Sequence, residues 1–124
     1  MDEGKRLFDE VAKRIAKYVP PLSITVQSDG RIDVYSDLPV VIEGRKYKNV
    51  FFASAILYPT YVGFYFMPVY AQPEIAALFS KDLLALLKGK SCFHLKRVSE
   101  PLLQDIETAL AKGFALYQEK GWVR

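Results

Sequence analysis

Apolar residues recur at three- and four-residue steps near both ends of the chain, and at every second position through its middle. Near the N-terminus Leu7, Val11, Ile15 and Tyr18 form one stripe, widened by Phe8 and Ala12. That spacing predicts a helix over 2–18 with one face on a core. Asp2/Arg6, Asp9/Lys13 and Glu10/Arg14 stand four apart in the order that supports a helix. Pro20 and Pro21 end it, because proline cannot continue the hydrogen-bond ladder. Near the C-terminus Leu103, Ile106, Leu110, Phe114 and Tyr117 predict a long helix. Ser99 caps it, Pro101 fits its first turn, and it runs to about Lys120 before Gly121.

Between these helices the period is two. Leu22, Ile24 and Val26 alternate with polar residues, as do Ile32 and Val34. Asp29-Gly30 between them suits the positive φ of a tight hairpin turn. A short strand is expected over 38–42, ended by Glu43-Gly44. A second hairpin spans 49–58 and 61–66 around Pro59-Thr60, and a last strand covers 91–96. A short helix pair separates them. Ile75, Leu78 and Phe79 begin the first. Ser80 caps the second, which carries Leu83, Leu84 and Leu87, with Gly89 in the left-handed position after it. The prediction is an α+β fold in one domain, 1–124. It has a single antiparallel sheet of about five strands, an N-terminal helix, a short middle helix pair and a long C-terminal helix.

Because side chains alternate across a strand, the second hairpin can be read as two faces. With Tyr58 opposite Tyr61, one face holds Phe52, Ser54, Ile56, Tyr58, Tyr61, Gly63 and Tyr65. The other holds Phe51, Ala53, Ala55, Leu57, Val62, Phe64 and Phe66. The second face is dry, and its alanines leave room for a helix, so it is assigned to the core. The first has hydroxyl tips and a glycine. Two readings of it stay open: another helix covers it with the tyrosine tips in water, or it lines a pocket or partner surface.

Composition narrows the function classes. The 124 residues are 51% hydrophobic and 25% charged, which fits one globular domain rather than a disordered chain. The apolar stretch around 50–70 is broken by Ser54, Pro59, Thr60, Gly63 and Pro68, so no membrane helix is expected. The N-terminal residues have no apolar signal core, and a single cysteine, Cys92, fits a reducing compartment. A cytoplasmic location is the expectation. The net charge of +3 is too small to argue for nucleic acid, despite the cluster Arg45-Lys46-Tyr47-Lys48.

Candidate chemistry is concentrated in Gly89-Lys90-Ser91-Cys92-Phe93-His94. Cys92 and His94, two apart on a strand, share a face, and a thiol beside an imidazole is the start of a nucleophile. Along one strand they stand about 6–7 Å apart, which is poor for a direct hydrogen bond. A packed cysteine beside a hydrogen-bonded histidine reads as well. One Cys and one His fall short of the four ligands of structural zinc. Gly89-Lys90-Ser91 is not a phosphate loop, because Leu84 stands where the earlier glycine is required and a strand follows.

Phe51-Phe52-Ala53-Ser54, then Tyr61-Val62-Gly63-Phe64-Tyr65-Phe66-Met67-Pro68-Val69-Tyr70, then Gly89 to His94, then Lys112-Gly113-Phe114 before Gly121-Trp122 form an ordered set. In that order and spacing, from about residue 22 to 123, the chain resembles the YdhG-like family of domains of unknown function. The resemblance implies a small α+β fold with one antiparallel sheet. One branch of that family is described as frataxin-like iron chaperones, which hold iron on surface carboxylates. Here that role would fall to Asp2, Glu3, Asp9 and Glu10. Three of the four have a cation four residues on, which opposes a hard metal ion.

The expectation is a non-enzymatic binding module for a small molecule or a protein segment. Its site is formed by Ser54, Tyr58, Tyr65, Tyr70, Cys92 and His94. Alternatives are a frataxin-like iron-binding chaperone and a thiol enzyme using Cys92. No cofactor is expected outside the iron reading, and a homodimer is left open.

Overall fold

The computed structural model describes residues 3–123. The expected pairing of Asp2 with Arg6, and Asp2 as a candidate carboxylate, lie outside the described residues. Helix α1 (Glu3–Ala16) buries Leu7, Phe8, Val11 and Ile15. Its ion pairs differ in part from the predicted ones. Glu10 meets Arg14 at 2.7 Å as expected, but Asp9 pairs with Lys5 and Lys13 with Glu10. Arg14 also reaches Glu107, which ties α1 to the last helix.

The main sheet has six strands, in the spatial order β1 (Ser23–Ser28), β2 (Arg31–Tyr35), β5 (Phe51–Leu57), β6 (Val62–Phe66), β8 (Cys92–Leu95) and β7 (Leu87–Lys88), all neighbours antiparallel. Strands β1 (Ser23–Ser28) and β2 (Arg31–Tyr35) form the first hairpin. Its turn lies where expected, at Asp29-Gly30, but neither residue takes positive φ. The left-handed pair is Glu43 (φ 51°) and Gly44 (φ 81°). It turns β3 (Val40–Ile42) into β4 (Arg45–Tyr47), a separate two-stranded ribbon. Two successive left-handed residues match the twist of a hairpin, and a β4 without aliphatic residues hid this strand from the period-two signal.

At the base of the ribbon the Ser36 N–H donates to the Val50 carbonyl at 2.8 Å, and the Val50 N–H donates to Ser36 Oγ at 2.9 Å. Strands β5 (Phe51–Leu57) and β6 (Val62–Phe66) pair in the expected register, Ser54 opposite Tyr65.

After β6 the chain forms α2 (Met67–Ala71), a 3-10 segment (Pro73–Leu78) and α3 (Lys81–Leu84). The middle pair is thus shorter than predicted. The Ser80 hydroxyl caps α3 by accepting from the Leu83 N–H at 3.0 Å. Leu87 belongs to β7 (Leu87–Lys88), not to a helix. Gly89 (φ 74°) accordingly serves the turn into β8 (Cys92–Leu95) rather than a helix end. Helix α4 (Glu100–Glu119) is capped by Ser99 and stops before Gly121, as expected.

The helices stack on one face of the sheet. Ala53, Ala55, Val62, Phe64, Phe66, Phe93 and Leu95 are buried there. The approach of α4 is so close that any Cβ at Gly113 would run into Phe66 and Pro68. Phe52 joins this core, in contact with Tyr18, Phe66, Phe114 and Tyr117. That reverses the predicted faces of Phe51 and Phe52. The register slips between Val34/Ala53 and Tyr35/Phe51, leaving Phe52 as the extra residue of a bulge that swings it inward. A second bulge at Thr25 breaks the alternation of β1 and leaves Val26 exposed.

Candidate functional site

The face of the sheet away from the helices carries a continuous row across four strands: Asp33, Ser54, Tyr65 and Cys92 stand opposite one another in turn. The next row runs through Arg31, Ile56, Gly63 and His94. Five of the six predicted site residues, Ser54, Tyr58, Tyr65, Cys92 and His94, are therefore brought to one surface. On this face Ser54 and Asp33 are buried, while Ile56, Tyr58, Tyr61, Tyr65, Cys92 and His94 are partly exposed.

Their contacts are mutual. Ser54 donates to Asp33 at 2.5 Å, and Arg31 grips both Asp33 oxygens at 3.0 and 2.9 Å. Burial alone would raise the Asp33 carboxyl. The hydrogen bonds from Arg31 and Ser54 outweigh it and hold the group below the usual carboxylate range. The Tyr58 and Tyr65 hydroxyls are 2.8 Å apart. Both rings lie down over Gly63, where a Cβ would come within 3.1 Å of each. Tyr61 stacks between Tyr58 (4.8 Å) and His94 (4.2 Å).

Burial pushes the Cys92 thiol up, with a smaller opposing effect from the Tyr65 hydroxyl beside it. Burial likewise raises the Tyr65 phenol, and the neighbouring Tyr58 and Cys92 add to this. At neutral pH both stay protonated, so Cys92 is a thiol with a tyrosine neighbour rather than a thiolate. Among the described residues no three His, Cys, Asp or Glu side chains come together as a metal ion would need. On α1, Glu3 accepts from the Val98 N–H, and Asp9 and Glu10 are held by lysine and arginine.

Tyr70, the sixth predicted residue, is elsewhere. It sits on α2, half exposed, in the wall of a cleft of about 1000 Å³ at one end of the sheet. At this end β2 and β7 finish, β5 and β8 begin, and β6 passes into α2. Tyr35 and Phe51, with rings 5.2 Å apart, form its floor from the sheet. Tyr47 closes it from the ribbon, Met67 and Tyr70 from α2, and Trp122 from beyond α4. Glu43, Asn49 and Lys90 are among its few polar side chains. A smaller recess of about 410 Å³ at the opposite end is bounded by Tyr58, Tyr61 and Lys96.

Sequence reasoning missed Asp33 and Arg31 in the row cluster, although the strand register brings each into place, and it put Tyr61 on this face without counting it in the site. It also missed the cleft. Tyr35, Tyr47 and Trp122 belong to segments with no common period, so no pattern joins them. No helix of the described residues is long and apolar enough to cross a membrane. In comparison with known proteins, the chain matches no family model, no curated protein and no solved structure.

Proposed function

We propose that this chain is a non-enzymatic binding domain for a small molecule, and that the ligand sits in the cleft at the end of the sheet. The observation that carries this reading is the cleft itself. Its volume, about 1000 Å³, and its walls of Tyr35, Phe51, Met67, Tyr70 and Trp122 with few polar groups have the character of ligand sites. The ring face beside it supports a scaffold role. Cys92 is held as a thiol, Asp33 is neutralised by Arg31, and neither is poised as a base or nucleophile. The ordered motifs from Phe51 to Trp122 support placing the domain with the YdhG-like family, whose resemblance adds little chemistry beyond the iron role of one branch.

A thermal-shift screen of a metabolite panel tests the reading, run on the parent and on Ala71→Trp. Ala71 is exposed at the end of α2 and lines the cleft, so the larger ring occupies the site without burdening the core. Ligands that raise the parent's melting temperature are expected to leave the variant's unchanged. Equal shifts in both proteins would place the ligand elsewhere, and no shift with any compound would remove the proposal.

A further inference from the structure

The cleft has a charge character as well as a shape, and a ligand class drawn from that charge rests on the cleft being the binding site. Two of its aromatic walls each carry a lysine across the ring. Lys90 Nζ is 5.8 Å from the Tyr70 centroid, and Lys120 Nζ is 5.4 Å from that of Trp122. Among the described residues every ion pair lies elsewhere, on α1 and α4, at Lys17 just after α1, or between Arg31 and Asp33. Among those same residues, Lys90 and Lys120 thus have ring partners and no carboxylate.

A lysine over an exposed ring gains only about 0.5–1 kcal/mol. It gives up little by turning toward an anion, with which it makes a charge-assisted hydrogen bond of roughly twice the strength of a neutral one. Lys88, just before the Gly89 turn, adds to the positive potential at this edge of the sheet. The acidic member of the lining, Glu43, belongs to the ribbon turn between β2 and β5. Lys90 follows β7 and lies over the Tyr70 ring, and no ion pair joins it to Glu43 among the described residues. The cation and the carboxylate of the lining therefore stand on different elements, one at the Tyr70 wall and one on the ribbon.

We infer that the cleft takes a planar aromatic carboxylic acid, with its ring system against Tyr70 and Trp122 and its carboxylate on the Lys90 ammonium. One ammonium in the lining matches one negative charge. A phosphate dianion would call for a fuller set of donors.

The test compares two probes of one shape, 2-naphthoate and 2-naphthamide, by calorimetry on the full chain at low ionic strength. The acid is expected to bind the parent about tenfold more tightly than the amide, the scale of one charge-assisted contact. Lys90→Gln, an exposed turn substitution, should bring the ratio close to one and leave amide binding as it was. Lys13→Gln, on α1, should leave the ratio intact and so controls for net charge. Equal affinity of the parent for acid and amide, or a preference that survives Lys90→Gln, overturns the inference while the cleft remains a site. Failure of both probes to bind the parent removes the inference, while the site reading stands or falls separately with the metabolite panel on the parent and Ala71→Trp.

Discussion

The two faces of the β5-β6 hairpin are built by the same strands and both carry aromatic rings, yet the rings are held in different ways. Toward the helices, Phe52 touches rings from α4 and from the segment after α1, so its neighbours come from distant parts of the chain. Away from the helices, Tyr58, Tyr61, Tyr65 and His94 rest on one another, and Ser54, Asp33 and Arg31 satisfy each other's polar groups. A bare sheet surface does not by itself announce a partner. This one has used its hydrogen bonds and ring faces internally. Lys90, which lies over a ring rather than against a carboxylate, is found instead in the lining of the cleft, and Lys120 lies over Trp122, another of its walls.

The largest effect that would sharpen this contrast is on the covered face. Phe52→Ala should cost about 3–5 kcal/mol, because the surrounding elements cannot all collapse into the space left. Urea denaturation measures it, with Tyr61→Ala as the bare-face counterpart. A comparable loss at Tyr61 would break the contrast.

A smaller effect is expected at Asp33, and it depends on pH. Its folded pKa is depressed, so the stability it contributes is complete above its ordinary unfolded value near 3.8. That contribution is lost as pH falls through the folded pKa. Asp33→Asn should therefore be less stable than the parent at neutral pH, and the gap should narrow below about pH 4. Denaturation midpoints from pH 7 down to pH 2 read it out, and a constant gap would contradict the assignment.

The smallest effect belongs to Tyr58→Phe. Removing one hydroxyl of a half-exposed pair should cost no more than about 1 kcal/mol, because water can take the place of the lost partner at Tyr65. A loss as large as that of Phe52→Ala would mean that the bare face carries the fold.

Long runs of regular period were legible in the sequence. The stripes of α1 and α4, the two hairpins of the main sheet and the pairing of Ser54 with Tyr65 all follow from spacing. The rest failed for identifiable physical reasons. A bulge adds one residue and inverts the face of whatever comes next, which is how Phe51 and Phe52 changed places. Strand β4 has no aliphatic residue to mark it, and two-residue β7 is too short to show a period. Leu87, read as the end of a helix, fits a strand edge as well. Five predicted site residues converge because one sheet register carries them. Tyr70 diverges because α2 begins directly after Phe66; the strand was expected to end there, but no helix was expected before Ile75. The cleft draws its lining from five separate parts of the chain, around residues 35, 42–51, 67–76, 87–90 and 122, and their meeting is a tertiary fact with no local signature.

The paired hydrogen bonds between Ser36 and Val50 have a consequence for how this molecule could change over time. They close the chain at the foot of the ribbon, so the sheet below is complete whether the intervening segment is long or short, basic or acidic. Insertions or exchanges between those two residues would reshape the mouth of the cavity without disturbing strand register. Selectivity could then drift quickly while the architecture beneath stays fixed, a separation of recognition from folding set by a single serine.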